Sequence, residues 1–206
     1  MHLTQNQSNE ISITFPFFFV TVSTYAQKPA IRIFYGFSDA EFLNTEDLDG
    51  VIKDDVENLF ELGAQYQINL NNTFSVVYGL TYTKTKIKNN FLVSFGGIGD
   101  QTNPYHFIFQ DLEILSISVL LEFKFWNYFF LNAGPVLSFE LNDPGFNYSQ
   151  NGIGYHLGFG GQYNFGDFFV FANPSFKQFG SIDFKDTKVD QNLSQFVVHL
   201  GLGYQF

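Results

Sequence analysis

The sequence predicts an all-β fold, an eight-stranded antiparallel up-and-down transmembrane β-barrel, on the basis of three observations. Aromatic residues make up 20% of the 206 residues, with 29 Phe, whereas charged residues make up only 15%, against about a quarter in typical domains. Apolar residues alternate with small or polar ones, which is the period of a strand. Long and short connections between the strands also alternate, as they do in outer-membrane barrels.

The composition excludes several classes of protein. After the first thirty residues the sequence contains no apolar run long enough for a membrane-spanning helix, which needs about 20 residues. The net charge of −10 argues against a nucleic-acid partner, because phosphates require clustered Lys and Arg. The absence of Cys excludes disulfides and thiolate chemistry. No motif indicates a cofactor.

Residues 1–26 are predicted to be a cleaved signal peptide and residues 27–206 the barrel domain. The segment 11–22 is apolar, and the small residues Thr24 and Ala26 suit signal-peptidase cleavage after Ala26. Residues 1–10 contain no Lys or Arg, whereas a signal peptide normally begins with a basic region. Two alternatives are open: the true start of the chain lies elsewhere, or residues 11–22 form an ordinary first strand.

Eight segments with the period of a strand follow. They cover residues 30–37, 57–69, 73–86, 107–125, 128–141, 153–165, 168–179 and 194–206. In the last segment Phe196, Val198, Leu200 and Leu202 share one face with Tyr204 and Phe206. A final strand that ends on aromatic residues is typical of outer-membrane barrels. Tyr204 and Phe206 are therefore predicted to be the C-terminal signal for the barrel-assembly machinery.

The connections between these segments are sorted by length. Residues 70–72, 126–127 and 166–167 form short turns, whereas residues 38–56, 87–106, 142–152 and 180–193 form long loops. In outer-membrane barrels the short turns lie in the periplasm and the long loops outside. The sequence therefore predicts the outer membrane of a Gram-negative bacterium as the location.

The face opposite the apolar one carries the charged residues. By phase, the inward charged residues and histidines are Arg32, Glu61, Glu122, Lys124, Glu140, Lys177, His156 and His199. The lumen of an eight-stranded barrel is barely wide enough for its own side chains, and buried charges must be paired. These residues are therefore predicted to form a packed polar network instead of a pore, with inward glycines making room.

Two of the strands carry a resemblance to a known family. The segments 111–125 (DLEILSISVLLEFKF) and 128–139 (YFFLNAGPVLSF) are similar to consecutive strands of the PorT-like outer-membrane β-barrels of Bacteroidetes. The predicted cleavage junction Ala26-Gln27 is similar to the one in that family. Leu115 stands where that family often has Pro. The resemblance covers roughly residues 27–206 and implies a location and an architecture, with no shared catalytic residues.

For three groups of residues that could form a chemical site, a structural role is the better interpretation. His156 and His199 both point inward, but without a carboxylate at a fixed spacing they are predicted to fill the lumen instead of binding a metal. Ser94, His106 and Asp111 lack the Gly-x-Ser-x-Gly elbow of a hydrolase. The acidic segment 44–55 departs from the calcium-loop pattern at its first and last ligand positions.

The sequence therefore predicts a non-catalytic protein with a structural, adhesive or secretion-accessory role. Its expected partners are outer-membrane lipid, the barrel-assembly machinery and an envelope protein bound by the loops, because loops on a rigid scaffold commonly carry function. Two alternatives remain. One is a lipid-modifying enzyme of the outer membrane, and the other is a soluble calycin-like barrel with an apolar interior that binds a small ligand.

Overall fold

The chain forms a closed antiparallel barrel of eight strands in chain order, as predicted. The computed structural model describes residues 27–44, 55–92, 105–142, 150–183 and 191–206. The strands are β1 (Gln27–Asn44), β2 (Asp55–Asn69), β3 (Phe74–Leu92), β4 (Tyr105–Phe125), β5 (Phe129–Glu140), β6 (Gly152–Phe165), β7 (Phe168–Asp183) and β8 (Gln191–Gln205). β8 pairs with β1 and closes the sheet. No helix in these ranges could cross a membrane.

The three tight turns lie at one end of the barrel, together with the start of β1 and the end of β8. Asn71 accepts hydrogen bonds from the backbone N–H groups of Thr73 and Phe74 at 2.8 and 2.7 Å. In the other two turns Trp126, Asn127 and Gly166 have positive φ angles of 50°, 63° and 73°, as tight hairpins require. We call this end the periplasmic end, because outer-membrane barrels keep their short turns there.

At the other end, the strands run further than the sequence predicted. β1 continues to Asn44, where it pairs with Gln191 of β8, and β3 continues to Leu92, where it pairs with Tyr105. Residues 38–44, 55–56, 87–92, 105–106, 152, 180–183 and 191–193 are therefore strand, and their assignment to loops was wrong. Outside a bilayer, backbone pairing alone can continue a strand. The outward side chains there need not be apolar, so the sequence of such a segment does not show the alternation.

Several predictions lie outside the described residues. These are the signal peptide 1–26, most of the acidic segment 44–55, and Ser94. The central parts of the four long connections, residues 45–54, 93–104, 143–149 and 184–190, lie outside them as well.

The apolar side chains that the alternation placed outward do lie outward. Ile33 and Leu62 are each 58% exposed and Leu157 is 56% exposed, and similar side chains follow one another around the barrel. A soluble protein rarely exposes so large an apolar surface, whereas a lipid-facing barrel requires one. The alternative of a soluble calycin-like barrel does not fit this arrangement.

Aromatic side chains collect at the periplasmic end of this outward face. The ring of Trp126 lies 5.4 Å from that of Phe125 and 6.4 Å from that of Phe129, centroid to centroid. On the other side of the barrel, Tyr204 lies 4.9 Å from Phe168 and 6.3 Å from Phe206. Such rings form the girdles that border the membrane in outer-membrane barrels.

Candidate functional site

The lumen near the periplasmic end is crossed by an ion pair between β1 and β4. Nη1 and Nη2 of Arg32 donate to the two carboxylate oxygens of Glu122 at 2.7 and 3.0 Å. Both side chains are buried, at 1% and 0% exposure. Lys124 Nζ lies 4.0 Å from the same carboxylate and donates to Asn69 at 3.0 Å. A bidentate Arg–carboxylate pair fixes both distance and orientation, so it holds opposite walls of the barrel together.

Three phenylalanine rings surround the guanidinium of Arg32. Its Cζ atom lies 5.3 Å from the ring centre of Phe130, 5.4 Å from that of Phe169 and 5.3 Å from that of Phe171. A desolvated cation over aromatic faces is stabilised by their quadrupoles. The interior at this level is therefore an ion pair enclosed by aromatic rings, which leaves little room for a water-filled pore.

Each inward phenylalanine of this region lies opposite a glycine on the neighbouring strand. The cross-strand pairs are Phe34 with Gly63, Phe130 with Gly160, Phe169 with Gly203 and Phe171 with Gly201. In every pair a Cβ on the glycine would overlap the phenylalanine ring. Each glycine thus provides the space that the phenylalanine ring occupies. An aromatic ring packed over a glycine on the neighbouring strand is a known way to stabilise a glycine in a sheet.

Further toward the outer end, Glu61 is the centre of a second charged cluster. Its Oε1 atom accepts from Lys177 Nζ and Gln195 Nε2 at 2.6 Å each and from the Thr83 hydroxyl at 2.9 Å. Its Oε2 atom lies 2.6 Å from His199 Nε2. Four strands meet at this one buried carboxylate.

Gly36 makes the contact between Glu61 and His199 possible. It lies between them in the sheet, because it pairs with Glu61 on one side and with His199 on the other. A Cβ at residue 36 would come within 2.6 Å of His199 Cδ2 and 3.2 Å of Glu61 Cβ. The absence of a side chain therefore lets these two residues meet from strands that are not neighbours.

The two inward histidines lie in this layer with parallel rings, 6.3 Å apart between centroids. His156 Nε2 lies 3.1 Å from Asn132 Oδ1, and His199 contacts Glu61. Within the described ranges, no group of three or more potential ligands could hold a metal ion. Both histidines thus have hydrogen-bonding partners in the lumen.

An apolar layer closes the lumen above the Glu61 cluster. It consists of Ala40, Leu59, Ile87, Leu112, Ile114, Phe179 and Leu193, all buried. Lys177 Nζ lies 5.4 Å from the ring centre of Phe179, so the two layers are in contact. Sequence reasoning missed this layer and the inward phenylalanines because it listed only polar inward residues. The phase of the predicted strands would have identified the phenylalanines, Leu59, Leu112 and Ile114, whereas Ala40, Ile87 and Leu193 lay in segments assigned to loops.

Glu140 makes hydrogen bonds at the rim of the barrel. It lies at the outer end of β5, where its carboxylate oxygens accept from the backbone N–H of Gln150 and from Asn151 Nδ2. Gln150 in turn accepts from the backbone N–H of Leu193 at 2.8 Å. Glu140 therefore fastens residues 150 and 151 to the rim.

The polar vestibule is a cavity of about 720 Å³ that opens at the periplasmic end. Lys124 lies at its inner side, and Lys28 lies at its rim, where Lys28 Nζ pairs with Asp167 at 2.7 Å. Phe125, Trp126 and Phe129, at the end of the outward aromatic girdle, border its mouth. An apolar groove of about 750 Å³ lies beside it, where the small residues Gly161 and Ala172 indent the lipid-facing surface.

The residues considered for catalysis do not form a described site. Asp111 lies on the outward face, with its Oδ2 atom 3.4 Å from Lys84 Nζ. Lys84 also pairs with Glu113 at 2.7 Å. Ser94 is outside the described residues, as is the side chain of His106.

Comparisons with known structures identify the same architecture. The solid-state NMR structure of outer membrane protein AlkL in DMPC bilayers is similar to this chain, with a TM-score of 0.55 and 13% identity over 99% of this chain and 97% of that one. The outer membrane protein OprG from Pseudomonas aeruginosa matches with a TM-score of 0.48 and 12% identity over 88% and 97% of the chains. The attachment invasion locus protein Ail of Yersinia pestis matches with a TM-score of 0.43 and 17% identity over 87% and 99%.

No protein-family model matches the chain, and no curated protein sequence matches it. The likeness to AlkL, at 13% identity, establishes the fold alone, an eight-stranded barrel of the kind found in outer membranes. The predicted fold is confirmed, and the predicted outer-membrane location agrees with the comparisons.

Proposed function

We propose that this chain is a small, non-catalytic outer-membrane barrel of the PorT-like group, with a closed lumen and with partners that bind its long connections. The observation that carries the proposal is the filled interior. The Arg32–Glu122 pair, the Glu61 cluster and the apolar layer around Phe179 succeed one another along the axis. A barrel with such a lumen is a scaffold, and a rigid scaffold is suited to presenting loops.

The remaining parts of the proposal rest on the sequence and on the outward face. The strands in residues 111–125 and 128–139 resemble the PorT-like pattern. The belt of exposed apolar side chains suits outer-membrane lipid as the surrounding medium. Tyr204 lies in the last strand and Phe206 directly follows it, where the barrel-assembly machinery would recognise them. The envelope partner would be a protein with a structural, adhesive or secretion role.

Location and folding can be tested together. Membranes are separated by density, the protein is extracted in mild detergent, and its electrophoretic migration is compared with and without boiling. We expect recovery in the outer-membrane fraction and a shift in migration on boiling. Recovery in the soluble periplasmic fraction would contradict the proposal.

The closed lumen has its own test. Purified protein is reconstituted into a planar bilayer and its conductance is compared with that of a variant in which Arg32, Glu61 and Phe179 are all replaced by Ala. We expect no discrete conductance steps for the natural chain. Variant protein that has folded should give measurable steps. Regular steps from the natural chain would show a pore, and the proposed scaffold role would then be wrong.

A further inference from the structure

We propose that the polar vestibule at the periplasmic end binds a small organic monoanion, a carboxylate attached to an apolar body, with Lys124 as the charged contact. This site is separate from the long connections at the other end of the barrel. It would therefore give the protein a ligand on the periplasmic side in addition to any partner outside.

The vestibule has the size and shape of a ligand site. Its volume of about 720 Å³ lies within the usual range of about 300–1,000 Å³ for small-molecule pockets. Amide side chains line it beside the charged groups, and they include Asn69, Gln162, Asn164 and Gln205. These groups can donate and accept hydrogen bonds.

The charges around the vestibule leave one cation without its own carboxylate. Lys28 at the rim is paired with Asp167. Deeper in, the two cations Arg32 and Lys124 share the single carboxylate of Glu122. Arg32 takes both oxygens of Glu122 in a bidentate pair, and Lys124 stays 4.0 Å away. One positive charge is therefore in excess, in a chain whose net charge is −10.

The second charged cluster shows what a compensated arrangement looks like. Glu61 and Lys177 form a pair of one acid and one base, 2.6 Å apart. Their side chains are 0% and 4% exposed, whereas that of Lys124 is 19% exposed and faces a cavity. A partly buried cation attracts an anion because the surrounding protein screens its charge less than water does.

The walls of the vestibule indicate the class of anion. A single excess charge matches a carboxylate, which carries one negative charge, better than a phosphate group, which carries up to about two near neutral pH. Phe125, Trp126 and Phe129 border the mouth of the vestibule, where the aromatic girdle of the outward face meets it. An aromatic or aliphatic body would lie at this apolar mouth while its carboxylate reaches inward to Lys124.

The chain contains its own reporter of binding, because its single Trp is Trp126 in the vestibule wall. The full chain, folded in detergent micelles, is titrated with phenylacetate while its tryptophan fluorescence is followed. Phenylacetamide provides an uncharged probe of the same shape, and inorganic phosphate provides a different anion. We expect a saturable change with phenylacetate and none with the other two.

Variants of Lys124 separate charge from fold. Lys124→Gln should weaken phenylacetate binding about 10-fold or more, which is the usual worth of a charge-assisted hydrogen bond. Lys124→Arg should bind, because it keeps the charge. Lys86→Gln is the control, since Lys86 is exposed at the outer end of β3. All variants are first checked for the migration shift on boiling.

Three results would overturn the proposal. The first is equal responses to phenylacetate and phenylacetamide, which would mean apolar partition alone. The second is an unchanged affinity in folded Lys124→Gln. The third is saturable binding of phosphate that displaces phenylacetate. A failure of this kind leaves the scaffold role untouched, because that role rests on the filled interior and is tested separately by conductance.

Discussion

Phe130 on β5 lies directly opposite Gly160 on β6, and its ring occupies the place that a side chain at residue 160 would need. Ala at this position would place its Cβ within 2.6 Å of Phe130 Cε2 and 2.8 Å of the Ala172 backbone oxygen. We expect Gly160→Ala to lower the free energy of unfolding by about 1–3 kcal/mol, as overpacking does. Urea unfolding in detergent micelles measures the change.

The next residue provides a matched control. A Cβ at Gly161 would meet its nearest atom, the Tyr128 backbone oxygen, at 3.6 Å, which is an ordinary contact distance. Gly161→Ala should therefore change stability by less than about 0.5 kcal/mol. Equal losses from the two substitutions would mean that strand flexibility matters here and not the phenylalanine ring.

Removing the charge of Glu122 should destabilise the barrel strongly. Glu122→Gln leaves the buried guanidinium of Arg32 without its bidentate partner, and breaking a buried pair on one side costs about 3–5 kcal/mol. The measurement is the urea midpoint together with the migration shift on boiling. Asp167→Asn breaks the exposed pair with Lys28 and should have little effect, because solvent screens that pair. Comparable losses of stability in both variants would mean that the buried Arg32–Glu122 pair stabilises the barrel no more than the exposed pair does.

Glu61 and Lys177 should behave as a coupled pair. Glu61→Gln leaves the buried ammonium group of Lys177, which is 4% exposed, without its carboxylate partner. Lys177→Met leaves the buried carboxylate of Glu61 without its ammonium partner. Each change alone should therefore lower the free energy of unfolding. The double variant removes both charges and should recover part of the loss, with a coupling energy of about 0.5–3 kcal/mol. Strictly additive losses in the double-mutant cycle would show that the two side chains do not depend on each other.

The sequence determined the faces of the strands more securely than their ends. Ile33 and Leu62 could be placed outward because the period of two is unambiguous where one side contacts lipid. At Asn44 or Leu92 that contrast is gone, although the backbone still pairs with Gln191 or Tyr105. The strand ends could therefore be found only from the register of the closed sheet.

The same distinction holds for the lumen. Phase alone placed Arg32 and Glu122 inside, but their pairing across the barrel depends on the register between β1 and β4, which are not neighbours. Phase also placed Glu140 inward, but its contacts with residues 150 and 151 follow from its height at the outer end of β5. The opposition of Phe34 to Gly63 also required the register.

The apolar layer at the outer end should contribute to stability in the way a protein core does. Phe179 is fully buried within that layer, and Phe179→Ala should cost about 3–5 kcal/mol, because the cavity cannot be filled from outside. Phe196 is the matched control, as it is 56% exposed on the outward face of β8. Detergent or lipid chains can fill the space left by Phe196→Ala, so its loss should be smaller. Urea unfolding in the same micelles measures the free energy of unfolding of both variants. A larger loss for Phe196→Ala would mean that the lipid-facing belt stabilises the barrel more than the closed lumen does.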